Sequence, residues 1–187
     1  MVTLIGLSGS LRAGSFNSAL LRAALDLMPA DSTLRVESIA GIPLYNGDEE
    51  AAHGVPAPVV RLKDIIAGAD GLLIASPEYN NSIPGVAKNA IDWLSRPPAD
   101  AGRVFRGRPV AVIGASPGGF GTILGQNAWL PVLRTLGCDV WTGGRLLVSR
   151  ADGLVDAAGN LADPATRENL GKFLAGFVAH ARRPRAT

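Results

Sequence analysis

The chain has 187 residues with 18 basic and 16 acidic side chains, a formal net charge of +2, and 47% hydrophobic content. That length and composition suit one domain with a sizeable core and exclude a disordered chain. Its bases, three lysines and fifteen arginines, are scattered apart from Arg182, Arg183 and Arg185, which argues against a basic nucleic-acid surface.

Cys138 is the single cysteine, so an intramolecular disulfide is excluded. With only two separated histidines, His53 and His180, no Cys/His zinc set forms either. The N-terminus lacks a basic n-region and a long apolar h-region, and no apolar stretch reaches about 18 residues. The expectation is a cytoplasmic protein without a spanning helix.

Short apolar runs alternate with helical periodicity along the chain. Val2 to Ser8 reads as a strand, and Asn17 to Met28 as a helix with Leu20, Leu21, Ala24, Leu25 and Met28 on one side. Thr33 to Ile39 alternates with period two, as a more exposed strand does. Gly41 to Pro58, rich in Pro, Gly, Asn and acids, reads as a loop that includes His53. A helix follows over Val59 to Ala67. Gly71 to Ser76 and Pro109 to Ser116 are continuous apolar runs, the pattern of strands covered on both faces. Pro84 to Ser95 and Thr122 to Leu136 read as helices, Val140 to Val148 as the last strand, and Pro164 to Ala181 as the closing helix. Cys138 reads as a small core residue beside that strand. Trp93 suits the core or a subunit contact, and Lys88 and Asp92 stand at pairing distance, i to i+4.

This alternation predicts an α/β protein: a parallel sheet, doubly wound by right-handed crossovers, forming one domain over residues 1–182 with a flexible tail at 183–187. Ligands of such sheets sit beyond the carboxyl ends of the strands, where the strand order reverses.

Three strand ends carry polar or turn-forming loops. After the first strand, Gly9-Ser-Leu-Arg-Ala-Gly-Ser-Phe-Asn17 offers Ser10, Ser15 and Asn17 as donors and Arg12 as a permanent charge, next to a helix N-terminus that attracts anions. It is neither G-x-G-x-x-G nor a P-loop. Several side-chain donors suit a terminal phosphomonoester; Ser15 or Asn17 as a plain helix cap is the other reading. After the third strand, Pro77-Glu-Tyr-Asn80 and Ser82 offer amides, carbonyls and an aromatic wall for a flat heteroaromatic ring, or an ordinary turn with capping side chains. After the fourth, Gly114 to Gly121 holds four glycines that let backbone approach a ligand closely, or simply turn.

Taken together, Gly9-Ser-Leu-Arg-x-x-Ser-x-Asn17, Pro77-Glu-Tyr-Asn80 with Ser82-x-Pro-Gly85, and Lys88-Asn-Ala-Ile-Asp-Trp93 resemble the NADPH-dependent FMN reductase family. This is the flavodoxin-like group that includes bacterial quinone, chromate and azo-dye reductases. Asn81 and the Val86-Ala87 pair depart from the family's usual residues. The resemblance implies a five-stranded parallel sheet in the order 2-1-3-4-5. It also implies FMN as bound cofactor and NADPH or NADH as co-substrate. Ser10, Arg12, Ser15 and Asn17, with the Phe16 backbone, would hold the phosphate. Pro77, Glu78, Tyr79, Asn80 and Ser82 would line the isoalloxazine, and Ser116 with the Gly118-Gly119 backbone would border it. Hydride would pass from NAD(P)H through flavin N5 to a quinone, chromate, azo or flavin acceptor, with no protein side chain as acid, base or nucleophile. A homodimer or homotetramer is implied, with no nucleic-acid or membrane partner. The rival reading is a flavodoxin-like electron carrier without enzymatic activity. Such carriers tend to be strongly acidic, and a net charge of +2 weighs against that.

Overall fold

The computed structural model describes residues 1–183. The apolar runs form the middle of one parallel sheet: β1 (Val2–Ser8), β3 (Gly71–Ala75) and β4 (Pro109–Ala115) are buried along nearly their whole length. The alternating segment is an edge strand, β2 (Ser32–Glu37). The order is β2-β1-β3-β4-β5, with Leu4 opposite Leu34, Ile5 opposite Leu72, and Leu72 opposite Val110. The winding reverses between β1 and β3, so the ends of these two strands flank the switch point.

Successive residues of a strand face opposite sides, and each side has its own core. Leu4, Leu73 and Ile113 meet Leu20 and Leu21 of α1 (Phe16–Leu27) and Leu174 and Phe177 of α7 (Pro164–Ala181). Ile5, Leu72 and Val110 meet Leu62 of α3 (Ala57–Ala67), Trp93 of α4 (Gly85–Leu94), Phe105 of α5 (Pro98–Phe105) and Trp129 of α6 (Ile123–Thr135). Trp93 is a core residue whose Nε1 donates to the Pro43 carbonyl at 2.9 Å, and Lys88 pairs with Asp92 at 2.7 Å.

Three features differ from the sequence reading. The expected loop at 41–58 contains α2 (Gly47–His53), which buries no residue and therefore carries no apolar periodicity. It is held by its ends: Asn46 caps the Asp48 amide at 3.0 Å, and Asp48, Glu49 and Glu50 sit at the positive end of the helix. The short helix α5 was also absent from that reading. Its Asp100 pairs with Arg103 at 2.7 Å and with the buried Lys63, while Val104 and Phe105 are fully buried.

The last strand, expected to be continuous over 140–148, is split. β5 (Asp139–Val140) pairs with the start of β4, and β6 (Leu147–Val148) with its end. Between them Trp141 turns onto α7, edge-on to Phe173 at 4.7 Å between ring centroids. Side chains at Gly143 or Gly176 would press on the indole, their Cβ atoms lying 2.7 and 2.8 Å from its ring. Of the expected tail, Arg183 still donates to the His180 carbonyl at 3.1 Å. Positions 184–187 lie outside the described residues.

Candidate functional site: three loops at the sheet's carboxyl edge

Backbone and side-chain bonds gather the three strand-end loops. Gly9 N donates to the Ala75 carbonyl at 2.8 Å, and Ser76 N to the Ile113 carbonyl at 2.9 Å. A side chain at Gly9 would put its Cβ 3.2 Å from the Pro77 ring and 3.3 Å from Ala87 Cβ, so glycine lets the first two loops meet. Asn17 ties the first loop to the third. Its Nδ2 donates to the Ala115 carbonyl at 2.9 Å, and its Oδ1 accepts from Ala115 N at 3.0 Å.

The first loop is a donor cradle. Ser15 caps α1, its hydroxyl oxygen accepting from Ser18 N at 3.3 Å. Ser10 Oγ likewise accepts from Arg12 N at 3.3 Å. Both serines are buried, and their hydroxyl protons have no acceptor among the described residues. The amides of Phe16 and Asn17, first in the helix, are equally without an acceptor there, as the first turn of a helix dictates. Arg12 is exposed, and among the described residues its side chain's only partners are the Gly14 carbonyl at 3.4 Å and the Phe16 ring, 5.8 Å from the guanidinium to the centroid. No carboxylate pairs with it among the described residues. Residues 9–18 contain no acid. Charge, helix dipole and unused donors therefore lie together in one loop, a set that fits a phosphate.

The second loop is a two-residue hairpin. Tyr79 and Ser82 exchange backbone bonds at 3.1 and 3.0 Å, and Asn80 and Asn81 between them have φ of 49° and 61°. Positive φ at both central residues is the I′ turn, which asparagine tolerates better than other side-chain-bearing residues. The Asn-Asn pair, noted in the sequence only as a departure at Asn81, is the signal for it. Pro77 is buried, Glu78 half-buried, and Tyr79, Asn80 and Ser82 are exposed. Glu78 Oε2 accepts from Gly125 N at 2.7 Å.

In the third loop the Ser116 hydroxyl is turned inward, donating to the Gly121 carbonyl at 2.5 Å, and Ser116 N donates to the Val148 carbonyl at 3.0 Å. Gly118 and Gly119 are exposed, and a side chain at Gly119 would meet nothing. Bare backbone open to approach suits a flat ligand. Phe120 beside them is 85% exposed.

His53 lies on α2, 3.6 Å from Glu49, and is not among these loops. Cys138 packs partly buried against the second core, and burial pushes its thiol up to about 12, far from a reactive thiolate. The described residues contain no group of three or more His, Cys, Asp or Glu placed to hold a metal, and no helix long and apolar enough to cross a membrane.

The profile of the NADPH-dependent FMN reductase family matches residues 2–153. The chain belongs to that family. Membership makes it an oxidoreductase of the NAD(P)H-dependent FMN reductase and quinone reductase type, with FMN as its flavin and a nicotinamide nucleotide as reductant. An NAD(P)H-dependent FMN reductase of Pseudomonas aeruginosa is 42% identical over 184 residues, covering 98% of this chain and 97% of that protein. A 2-hydroxy-1,4-benzoquinone reductase of Burkholderia is 38% identical over 174 residues, covering 93% of each. Among solved structures, the flavoenzyme NAD(P)H:(acceptor) oxidoreductase FerB of Paracoccus denitrificans superposes with a TM-score of 0.85 at 34% identity over 97% of both chains.

Proposed function

We propose that this family member holds FMN across the three loops and uses it to pass electrons from NAD(P)H to a quinone, with chromate, azo compounds and free flavin as further acceptor classes. The observation that carries the reading is the first loop: two buried serine hydroxyls, two helix amides without an acceptor and an arginine that no carboxylate pairs with among the described residues, all within a stretch that contains no acid.

In this reading Ser10, Arg12, Ser15 and the amides of Phe16 and Asn17 bind the phosphate. Asn17 also keeps that loop against β4 through Ala115. Pro77, Glu78, Tyr79, Asn80 and Ser82 form one wall of the ring site, while Ser116 and the Gly118-Gly119 backbone form the other. When bound, FMN supplies hydride acceptance at N5 and its delivery to the acceptor. The protein's share is binding, orientation and exclusion of water, and no side chain serves as acid, base or nucleophile. Exposed Tyr79, Val86, Phe120, Ile123 and Leu124 surround these loops, which supports a homodimer or homotetramer that covers them. A cytoplasmic setting completes the proposal.

Titration of the protein with FMN and with riboflavin, followed by flavin fluorescence, tests it. Wild type binds FMN at micromolar concentration or better. Arg12→Ala weakens FMN about ten- to a hundredfold, the range for one charge-assisted bond, and changes riboflavin little. The reading fails if no flavin binds at micromolar concentration, or if both ligands lose equally.

A further inference from the structure

The carboxylate of Glu78 bonds away from the phosphate cradle. It leaves the end of β3 and reaches 47 residues along the chain to accept from Gly125 N at 2.7 Å. Gly125 is the third residue of α6, a helix that starts without a cap of its own. Thr122 at the cap position makes no capping bond, its hydroxyl accepting instead from Gln126 Nε2 at 3.0 Å, and the first turn contains no acid. The first amides of a helix need acceptors, and their partial positive charge favours an anion. Glu78 supplies both from a different loop.

The approach is close. A Cβ on the buried Gly125 would lie 3.3 Å from Glu78 Cβ, 3.4 Å from Glu78 Cγ and 3.4 Å from the Ser82 carbonyl oxygen. Glycine thus seats α6 against both ends of the 78–82 hairpin at once. Because α6 follows directly from the 116–121 loop, this contact joins the two loops that wall the ring site.

We propose that Glu78 is a positioning residue whose carboxylate caps α6 and sets the separation of the two ring walls. The role in flavin binding rests on the site reading above, whereas the clamp itself belongs to the chain without ligand. Loss of the clamp therefore weakens flavins through the ring they share and leaves the phosphate contribution intact, the reverse of the pattern at Arg12.

Two measurements test this on Glu78→Ala, Glu78→Gln and Gly125→Ala. In the ligand-free protein, hydrogen exchange at the Gly125 amide rises about tenfold in Glu78→Ala and less in Glu78→Gln, which keeps an acceptor oxygen but no charge, while the Ala19 amide of α1 is unchanged. In flavin titrations, FMN and riboflavin both weaken about tenfold in Glu78→Ala, so their ratio stays at the wild-type value, and Glu78→Gln partly restores both. Gly125→Ala, which keeps the carboxylate but crowds Glu78 and the Ser82 carbonyl by a few tenths of an ångström, shows a smaller loss that also preserves the ratio. Unchanged Gly125 exchange in Glu78→Ala overturns the clamp. Faster exchange with undiminished flavin affinity overturns the positioning role, as does a loss confined to FMN. If wild type binds neither flavin, the site reading and the positioning role fall together, and Gly125 exchange alone still decides whether the clamp exists.

Discussion

Asn17→Ala separates holding the fold from holding the ligand. The Asn17 side chain is 2% exposed and spends both polar atoms on Ala115, itself 2% exposed, at 2.9 and 3.0 Å. Alanine removes both bonds and leaves a buried carbonyl and a buried amide unsatisfied. Each such group costs about 1–3 kcal/mol, so the pair costs about 2–6 kcal/mol. With an m-value of about 2 kcal/mol/M, a loss of about 3 kcal/mol lowers the urea midpoint by about 1.5 M. Asn17→Asp fares no better: one oxygen can still accept from Ala115 N, but the other then opposes the Ala115 carbonyl and buries a charge. Urea unfolding of the ligand-free protein, monitored by circular dichroism, is the assay. A midpoint within 0.2 M of wild type, or about 0.4 kcal/mol at that m-value, would refute the staple. If FMN affinity nevertheless collapsed, the amide would be serving the ligand rather than the fold.

Gly114→Ala would drive a Cβ into Thr122 Oγ1 and the Ser76 carbonyl, so a loss of about 3 kcal/mol is expected in the same assay, and wild-type stability would show that the strand ends are looser than described. Gly176→Ala presses on Trp141 from 2.8 Å and should lower Tm by about 6 °C for a cost of about 2 kcal/mol, as read by calorimetry; an unchanged Tm would mean that the indole has room. Asp100, hydrogen-bonded by Arg103 and then Lys63, titrates below the usual carboxylate range. Its contribution is therefore complete above its unfolded value of about 3.9 and is lost as pH falls through the lowered folded value. Asp100→Asn should be less stable than wild type at pH 7 and converge with it in strong acid, so a gap that persists there would count against the ion pairs. The Cys138 thiol, pushed up to about 12 by burial, should react with a thiol reagent at pH 8 only after denaturant is added; fast labelling of the native protein would contradict its burial.

Much of the fold was legible because burial on both faces writes itself as unbroken apolar runs. β1, β3 and β4 lie within a residue of the segments expected, as do α1, α4, α6 and α7 at most ends. What was missed lacked that signature. α2 buries nothing, α5 offers too few residues for a period, and the break between β5 and β6 comes where the Trp141 ring packs on α7. The loops were legible as places: the serines, Arg12, the Pro-Glu-Tyr-Asn turn and the glycines all stand at the strand ends. Their individual contacts were not. Nothing in the spacing says that Asn17 bonds Ala115, that Glu78 reaches Gly125, or that the Ser116 hydroxyl turns inward to Gly121.

The sequence by itself therefore determined the strand–helix alternation, the carboxyl-edge location of the site, and a donor-rich, acid-free loop suited to phosphate. These follow from local composition and period, which the chain carries whatever surrounds it. Only the tertiary structure decided which donors stay free and which are consumed. A hydroxyl or carboxylate bonds whatever the fold brings within about 3 Å, and partners 47 or 98 residues away are set by the packing of the sheet and its helices rather than by neighbours in the chain.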